Sequence, residues 1–412
     1  MQKKIIYTVL LLVVIIGFFS YFLFSSEDTN SDYVAVTPIA VHNNGMEFID
    51  SSACVECHKQ IVEDHLKTAH FNSFQPANAN TIKGNFEDGK NSFKLNDKVV
   101  FKMVAKDSGF YQEPVINNQN TPFYSAKMDI VVGSGTKGQS YLMWNNNNLF
   151  QLQASFFTPT DSWINSPGAP DQLAPARPVI ERCLECHTTY AQNLSGSKKG
   201  NQFHKKNIVY GIDCQRCHGP VTDHIAYHKQ NPEEKTAKHI LKYSSLSRQQ
   251  RLDACALCHS GLRIKTTERA FTFMTGDSLG NFSFPDYDKT SLADLDVHGN
   301  QYGLLKASEC FKKSTLLDCS SCHNPHKKER GEFSSFNQKC MNCHNSLSNP
   351  IVCAGDKAEM QQMNNNCVQC HMPLVNSKAM KIQITEEEEV AVKVRTHFIG
   401  IYNQQNSKES GN

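Results

Sequence analysis

The sequence predicts a mainly α chain with extensive loops, a small antiparallel β-insert and one N-terminal transmembrane helix. Three observations predict it. Cys-x-x-Cys-His occurs seven times: Cys54/Cys57/His58, Cys183/Cys186/His187, Cys214/Cys217/His218, Cys255/Cys258/His259, Cys319/Cys322/His323, Cys340/Cys343/His344 and Cys367/Cys370/His371. The apolar content is low for a chain of 412 residues. An uncharged, mostly apolar run from Ile5 to Phe24 follows Lys3 and Lys4.

The repeated motif is the attachment signature of c-type haem: two thiols add across the porphyrin vinyl groups, and the adjacent His takes the proximal position on iron. With 16 Cys and 17 His, chance would give about 0.03 such matches. Zinc ribbons use Cys-x-x-Cys pairs but need no His after the second Cys. A disulfide framework would not repeat one spacing seven times. The motifs therefore predict seven covalently bound haems and a fold organised around a haem core, a multihaem cytochrome c. Cys310 and Cys353 are left over; whether they pair with each other stays open.

Hydrophobic residues make up 39% of the chain. Counted with Gly and without Tyr they reach about 41%, below the roughly 45–50% of globular chains. Seven porphyrins would supply the missing apolar surface. The formal charge of +2 would fall to about −5 in the oxidised holoprotein, since each haem brings two propionates and one ferric charge. No basic run or aromatic platform suggests nucleic acid.

The twenty residues Ile5–Phe24 would span about 30 Å as a helix, a bilayer's hydrocarbon thickness. Lysines before them and Glu27, Asp28 and Asp32 after them would leave the body outside, the side on which bacteria attach c-haem. A cleaved signal peptide would have a shorter apolar region and a small-residue cleavage site. The expected location is the bacterial cytoplasmic membrane, with the haem domain on its periplasmic side.

Residues 1–26 thus read as a membrane anchor or uncleaved signal, 27–48 as a tether and 49–83 as the first haem segment. A β-rich insert is expected over 84–165, where Val99–Phe101, Met128–Val132, Tyr141–Trp144 and Leu149–Phe157 alternate with turn signals. Gly133, Gly135 and Gly138 match a nucleotide-loop pattern, but no βαβ unit surrounds them, and a turn between strands fits better. Haems two to four follow over 166–260, a connecting loop region over 261–310, and haems five to seven with the tail over 311–412. Glu386–Glu389 read as a solvated charge run.

Ten His remain for the sixth iron positions: His42, His65, His70, His204, His224, His228, His239, His298, His326 and His397. Bis-His iron has no open position and suits electron transfer. His326 lies three residues after His323 and cannot reach the far face of the same haem, so as a ligand it must serve a neighbour. The same holds for His224 after His218. Of His65 and His70, one is expected as a ligand and the other as merely exposed.

Several stretches resemble the cytochrome c-554 type family of multihaem cytochromes, related to the octahaem hydroxylamine oxidoreductase and tetrathionate reductase group. They are Cys54–His58 with His70, Gly211–Pro220 with His224, Cys319–His326, and Cys367–Pro373 with His397-Phe398. The resemblance implies distal roles for His70, His224, His326 and His397, and for His298 in Val297-His298-Gly299. It covers about residues 49–400, weakly in the insert. No Cys-x-x-Cys-Lys motif is present, unlike pentahaem nitrite reductases.

The favoured function is electron carriage between respiratory partners outside the cytoplasmic membrane, from a quinol-linked donor or other cytochromes, by a body held to the membrane through its N-terminal helix. The alternative is an oxidoreductase acting on nitrite, hydroxylamine or tetrathionate at one pentacoordinate haem. Lys137, Tyr141 and Arg182 are donor candidates there, although nothing in the sequence brings them together. A scaffold subunit of a larger respiratory complex is a third reading.

Overall fold

Period-two alternation builds the region between the first two motifs. Along Val99–Lys106, Val99, Phe101 and Met103 point inward and their neighbours outward. The strand pairs with Ser92–Asn96 and with Gly109–Ile116, which pairs with Ala126–Met128. A second antiparallel sheet runs in the order Ser162–Asn165, Asn148–Phe157, Gly138–Asn145, Ile130–Val132, Phe74–Pro76, and Arg177–Pro178 also pairs with Asn148–Phe157. Leu95, Phe101 and Met103 of the first sheet pack with Tyr141, Leu152, Phe156 and Trp163 of the second, so the two sheets share one core. A Cβ on Gly84 would fall 2.1 Å from the Trp163 ring, so only glycine lets the chain cross that indole. The glycine-rich segment is the turn joining Ile130–Val132 to Gly138–Asn145, with Gly133 and Gly135 at positive φ.

Gln112 stitches the two sheets together. Its buried amide donates to the Ala154 carbonyl at 2.8 Å and accepts from the Ala154 N–H at 2.9 Å. Gln112→Leu leaves both backbone groups unpaired in the core, and the expected cost is about 2–4 kcal/mol. Trp163 fluorescence in a urea titration reads it as an earlier transition of the insert; an unchanged midpoint would contradict the assignment.

The computed structural model describes residues 37–261, 263–285, 291–344, 366–383 and 389–402. Helix and strand take nearly equal shares, which corrects the expectation of a mainly α chain. The segments between motifs build sheets of their own, whereas the motif helices are short. Tyr190–Asn193 pairs with Phe203–Val209, and Leu374–Gln383 with Glu389–Arg395. The expected N-terminal transmembrane helix is not part of the observed fold. Its residues, 5–24, lie outside the described residues, as do Cys353 and Glu386–Glu388. No described helix is long and apolar enough to cross a membrane.

The stretch 261–310, expected as loop, holds a hairpin of Arg263–Thr266 with Ser283–Pro285 and the helix Gln301–Ala307. Tyr302 and Leu305, one turn apart, pack with Phe311 onto Leu252, Ala256 and Leu257 of the helix Arg248–His259. The C-terminal hairpin is tied to the insert by Ile382 and Val392, which pack on Phe157 and Ile164.

Candidate haem-binding centres

Local helix explains the motif geometry. Residues at i and i+3 share a helix face, so both thiols of a motif, and the His at i+4, look the same way. The helices Cys214–His218, Arg248–His259, Phe333–His344 and Cys367–His371 all end at their motif His. In Ser52–His65 the helix kinks at His58, with φ −121° and ψ 32°. The fifth motif sits on a 3₁₀ turn, Cys319–Ser321, capped by Asp318. Among the described residues, no three or more Cys, His, Asp or Glu converge to hold a bare metal ion.

The imidazoles fall into pairs. His58 faces His224 with ring centroids 6.4 Å apart, His259 faces His70 at 6.2 Å, His218 faces His326 at 6.1 Å and His323 faces His397 at 6.1 Å. Rings in direct stacking would lie closer. An iron–imidazole bond is about 2.0 Å and the ring centroid lies about 1.1 Å beyond the nitrogen, so two imidazoles on opposite sides of one iron would have centroids about 6.2 Å apart. Each pair joins a motif His to a His from another segment. The ring planes are nearly parallel in His58/His224 and His218/His326, at 14° and 8°, and steeply inclined in His259/His70, at 62°.

The surroundings suit a large apolar plate. Burial lowers the pKa of His70, His259 and His323, yet all three side chains are accessible to solvent. Side chains deep in protein but still accessible line clefts. Burial, then nearby imidazoles, push His70 and His397 down to about 4, so both stay neutral, the form that binds iron. Nδ1 of His218, His224 and His371 lies 3.3, 2.7 and 2.8 Å from the carbonyls of Leu241, Lys238 and Gly400. Nδ1–H donation to a carbonyl fixes the tautomer and leaves Nε2 for a metal. The residues therefore fit c-type haem: paired thiols would hold it and facing imidazoles would ligate it. Haem bound there supplies one-electron Fe(III)/Fe(II) chemistry.

The remaining histidines divide. His42 uses both nitrogens, on Asn44 and the Phe271 carbonyl. His65 is buried rather than exposed, with Nε2 3.1 Å from the Ile212 carbonyl and 3.8 Å from Asp213. Its i+5 neighbour His70 faces His259; the choice between them was undecidable from spacing, because the acceptors of His65 come from the third motif's segment. That segment docks closely: a Cβ on Gly211, at φ +64°, would sit 2.1 Å from the Phe71 carbonyl oxygen. His204 is exposed; His228 and His239 flank Tyr227. His298 lies near enough to His187 to lower its pKa, behind burial, the Arg182 charge and His259. The donor candidates do not form a site. Tyr141 is fully buried in the insert core, donating to Gln139, while Arg182 binds Glu185 and the Leu257 carbonyl.

Thiols of different motifs also meet. The thiols of Cys54 and Cys214 lie close together, as do those of Cys186 and Cys258 and those of Cys255 and Cys319. Cys217 lies near Cys255, Cys322 near Cys343, and Cys340 near Cys367.

The attachment thiols are not uniformly enclosed by side chains. Cys57, Cys183, Cys343 and Cys370 are exposed, and the other ten are half-buried. Cys57 shows the reason. Its helix, Ser52–His65, buries only Val62 and His65, both beyond the motif. The turn that carries Cys57 therefore lies at the protein surface, while its companion Cys54 is half-buried and reaches Cys214. The first motif thus offers one thiol towards the third motif and one away from it.

Residues 165–219, which carry the second and third motifs, match the family model described as cytochrome c554 and c-prime. The multiheme cytochrome MtrA of Shewanella baltica (strain OS185) is 24% identical over 172 residues, 40% of this chain and 45% of that protein, so the match spans less than half of that relative's length. In three dimensions the chain is similar to the outer cell wall cytochrome OcwA. The TM-score is 0.53 at 16% identity, covering 87% of this chain and 81% of that one, a likeness of fold. Together with the seven attachment motifs in the sequence, these matches support a multihaem cytochrome c family for the chain.

Proposed function

We propose that the chain binds seven haems and conducts electrons between a quinol-linked donor or other cytochromes on the outer side of the cytoplasmic membrane. The observation that carries this reading is the set of four imidazole pairs at 6.1–6.4 Å. With haem bound they would hold four irons between two imidazoles each and leave those irons to pass electrons. In this reading His70 serves the fourth motif, His224 the first, His326 the third, His397 the fifth, and His298, whose charge bears on His187, the second. The meeting thiols then order the haems one–three–four–five–six–seven, with two beside four, so that each lies next to another. The first haem, held by Cys54 and the exposed Cys57, would be one terminus of that series.

A pyridine haemochrome assay is expected to give seven haems per chain. Film voltammetry is expected to give reversible waves summing to seven electrons, with no catalytic current from nitrite, hydroxylamine or tetrathionate. A count below seven sinks the heptahaem reading. A catalytic current from any of the three establishes the reductase reading instead; that reading rests on the sixth and seventh motifs, whose histidines face no imidazole.

A further inference from the structure

Resting on that heptahaem reading, we infer that the haems held by the sixth and seventh motifs lack a histidine sixth ligand and keep an exchangeable iron position for small exogenous ligands. All seventeen histidines of the sequence lie among the described residues, so the histidine supply can be counted in full. The first, third, fourth and fifth motif histidines each face an imidazole, and His298, one of the charges that lower the His187 pKa, is the histidine assigned above to the second. Among the described residues neither His344 nor His371 has one opposite. Residues 345–365 contain no histidine to supply it.

The other free histidines do not fill these positions. His42 and His65 spend ring nitrogens on backbone carbonyls. His228 packs against His224, and its Nε2 accepts from the Lys238 N–H at 3.3 Å. His204 stands exposed on the strand Phe203–Val209, and His239 packs its ring on Tyr227.

The helix Phe333–His344 buries none of its residues, and His344, Cys343 and Cys370 are exposed. The two motifs form one terminal group. Asn337 accepts from the Cys367 N–H at 3.0 Å. Arg395 donates to the Val368 and Met372 carbonyls at 2.8 and 2.6 Å, with its guanidinium 5.8 Å from the Phe333 ring centroid. His371 holds Nδ1 on the Gly400 carbonyl at 2.8 Å, the orientation of a proximal ligand. These two irons would therefore be ligated by the chain on one side, at an exposed end of the haem series. Diatomic gases and small anions that bind haem iron are the ligand class they would take.

Carbon monoxide binding to the fully reduced holoprotein tests this, with haem counted in the same sample. The expected result is two CO per seven haems. Low-temperature EPR of the oxidised protein is expected to give five low-spin signals that cyanide leaves unchanged, and two centres that cyanide converts. The double variant Cys340→Ala/Cys343→Ala is expected to carry six haems and one CO. Should the double variant fail to accumulate, His397→Ala is expected to raise the count from two CO to three. Seven haems with fewer than two CO overturns the inference and leaves the heptahaem reading standing, and so does a methionine-to-iron band near 695 nm in the oxidised protein. Two CO retained in the six-haem variant also overturns it. Fewer than seven haems in the parent protein overturns the heptahaem reading itself.

Discussion

Made without haem attachment, the chain is expected to keep its two stacked sheets and lose ordered structure at most of the motif helices. The sheets have a side-chain core of their own: Phe101, Met103, Tyr141, Leu152, Phe156 and Trp163 are all at most 4% exposed. Each is worth about 1.5–3 kcal/mol of burial, and that term does not depend on a cofactor. The helix Phe333–His344 has no buried residue and Cys367–His371 has one, Val368. Helices of this length do not persist alone in water. Their apolar partners are the porphyrins themselves, so haem binding is folding free energy for this half of the chain. Hydrogen exchange on haem-free protein checks it. Amides of Val99–Lys106 and Asn148–Phe157 should stay protected, while those of 333–344 and 367–371 exchange at nearly random-coil rates. Equal protection in both would show that side chains, not haems, hold the motif regions. The helix Arg248–His259 is the informative intermediate: Leu252, Ala256 and Leu257 give it a side-chain core with Tyr302 and Phe311, and its protection should lie between the two extremes.

How much of this was readable in advance follows from the range of each interaction. The attachment motifs are contiguous, so seven spacings were visible without any fold. Their burial was not: Cys54 and Cys57 share one motif, yet only Cys54 has a thiol from a distant segment against it. The strands of Val99–Lys106 and Asn148–Phe157 carry their own alternation or apolar run, and their turns carry Asn and Gly. The short strands Phe74–Pro76 and Arg177–Pro178 owe their existence to partners supplied by distant sheet edges. Phe203–Val209 holds His204, Lys205 and Lys206 in mid-strand, a polar face that reads as loop. The overestimate of helix came from treating the motifs as the whole fold, although the intervening chain had its own pattern.

Ligand pairing was legible only as a reach argument. The structure sets His326 opposite His218 and His224 opposite His58, both across motifs, as short chain reach requires. Nothing local distinguishes His65 from His70, or marks His42 as a hydrogen-bonded core residue. Those roles depend on carbonyls of Ile212 and Phe271 far away in the sequence.

His326→Met is expected to raise the midpoint potential of one haem by on the order of 0.2 V while leaving it low-spin. The argument turns on which imidazole shares an iron with His326, because two lie at similar range. His218 stands 6.1 Å away with planes 8° apart, and His65 stands 6.4 Å away at 67°. The ring nitrogens decide between them. His65 has Nε2 committed to the Ile212 carbonyl and Asp213, whereas His218 turns Nδ1 to the Leu241 carbonyl and keeps Nε2 available. Thioether sulfur is a weaker donor than imidazole and favours the ferrous state, so the change should shift a single wave in the voltammogram and add a methionine-to-iron absorption near 695 nm, with the other waves moving less. His65→Ala provides the contrast. It leaves Asp213 and the Ile212 carbonyl short of a partner at the contact between the first and third motifs, which should cost about 1–3 kcal/mol without changing the number of low-spin haems. If His65→Ala instead converts one haem to high spin while His326→Met moves no wave, the iron lies on the His65 side, and the pairing of the third motif with His326 is wrong.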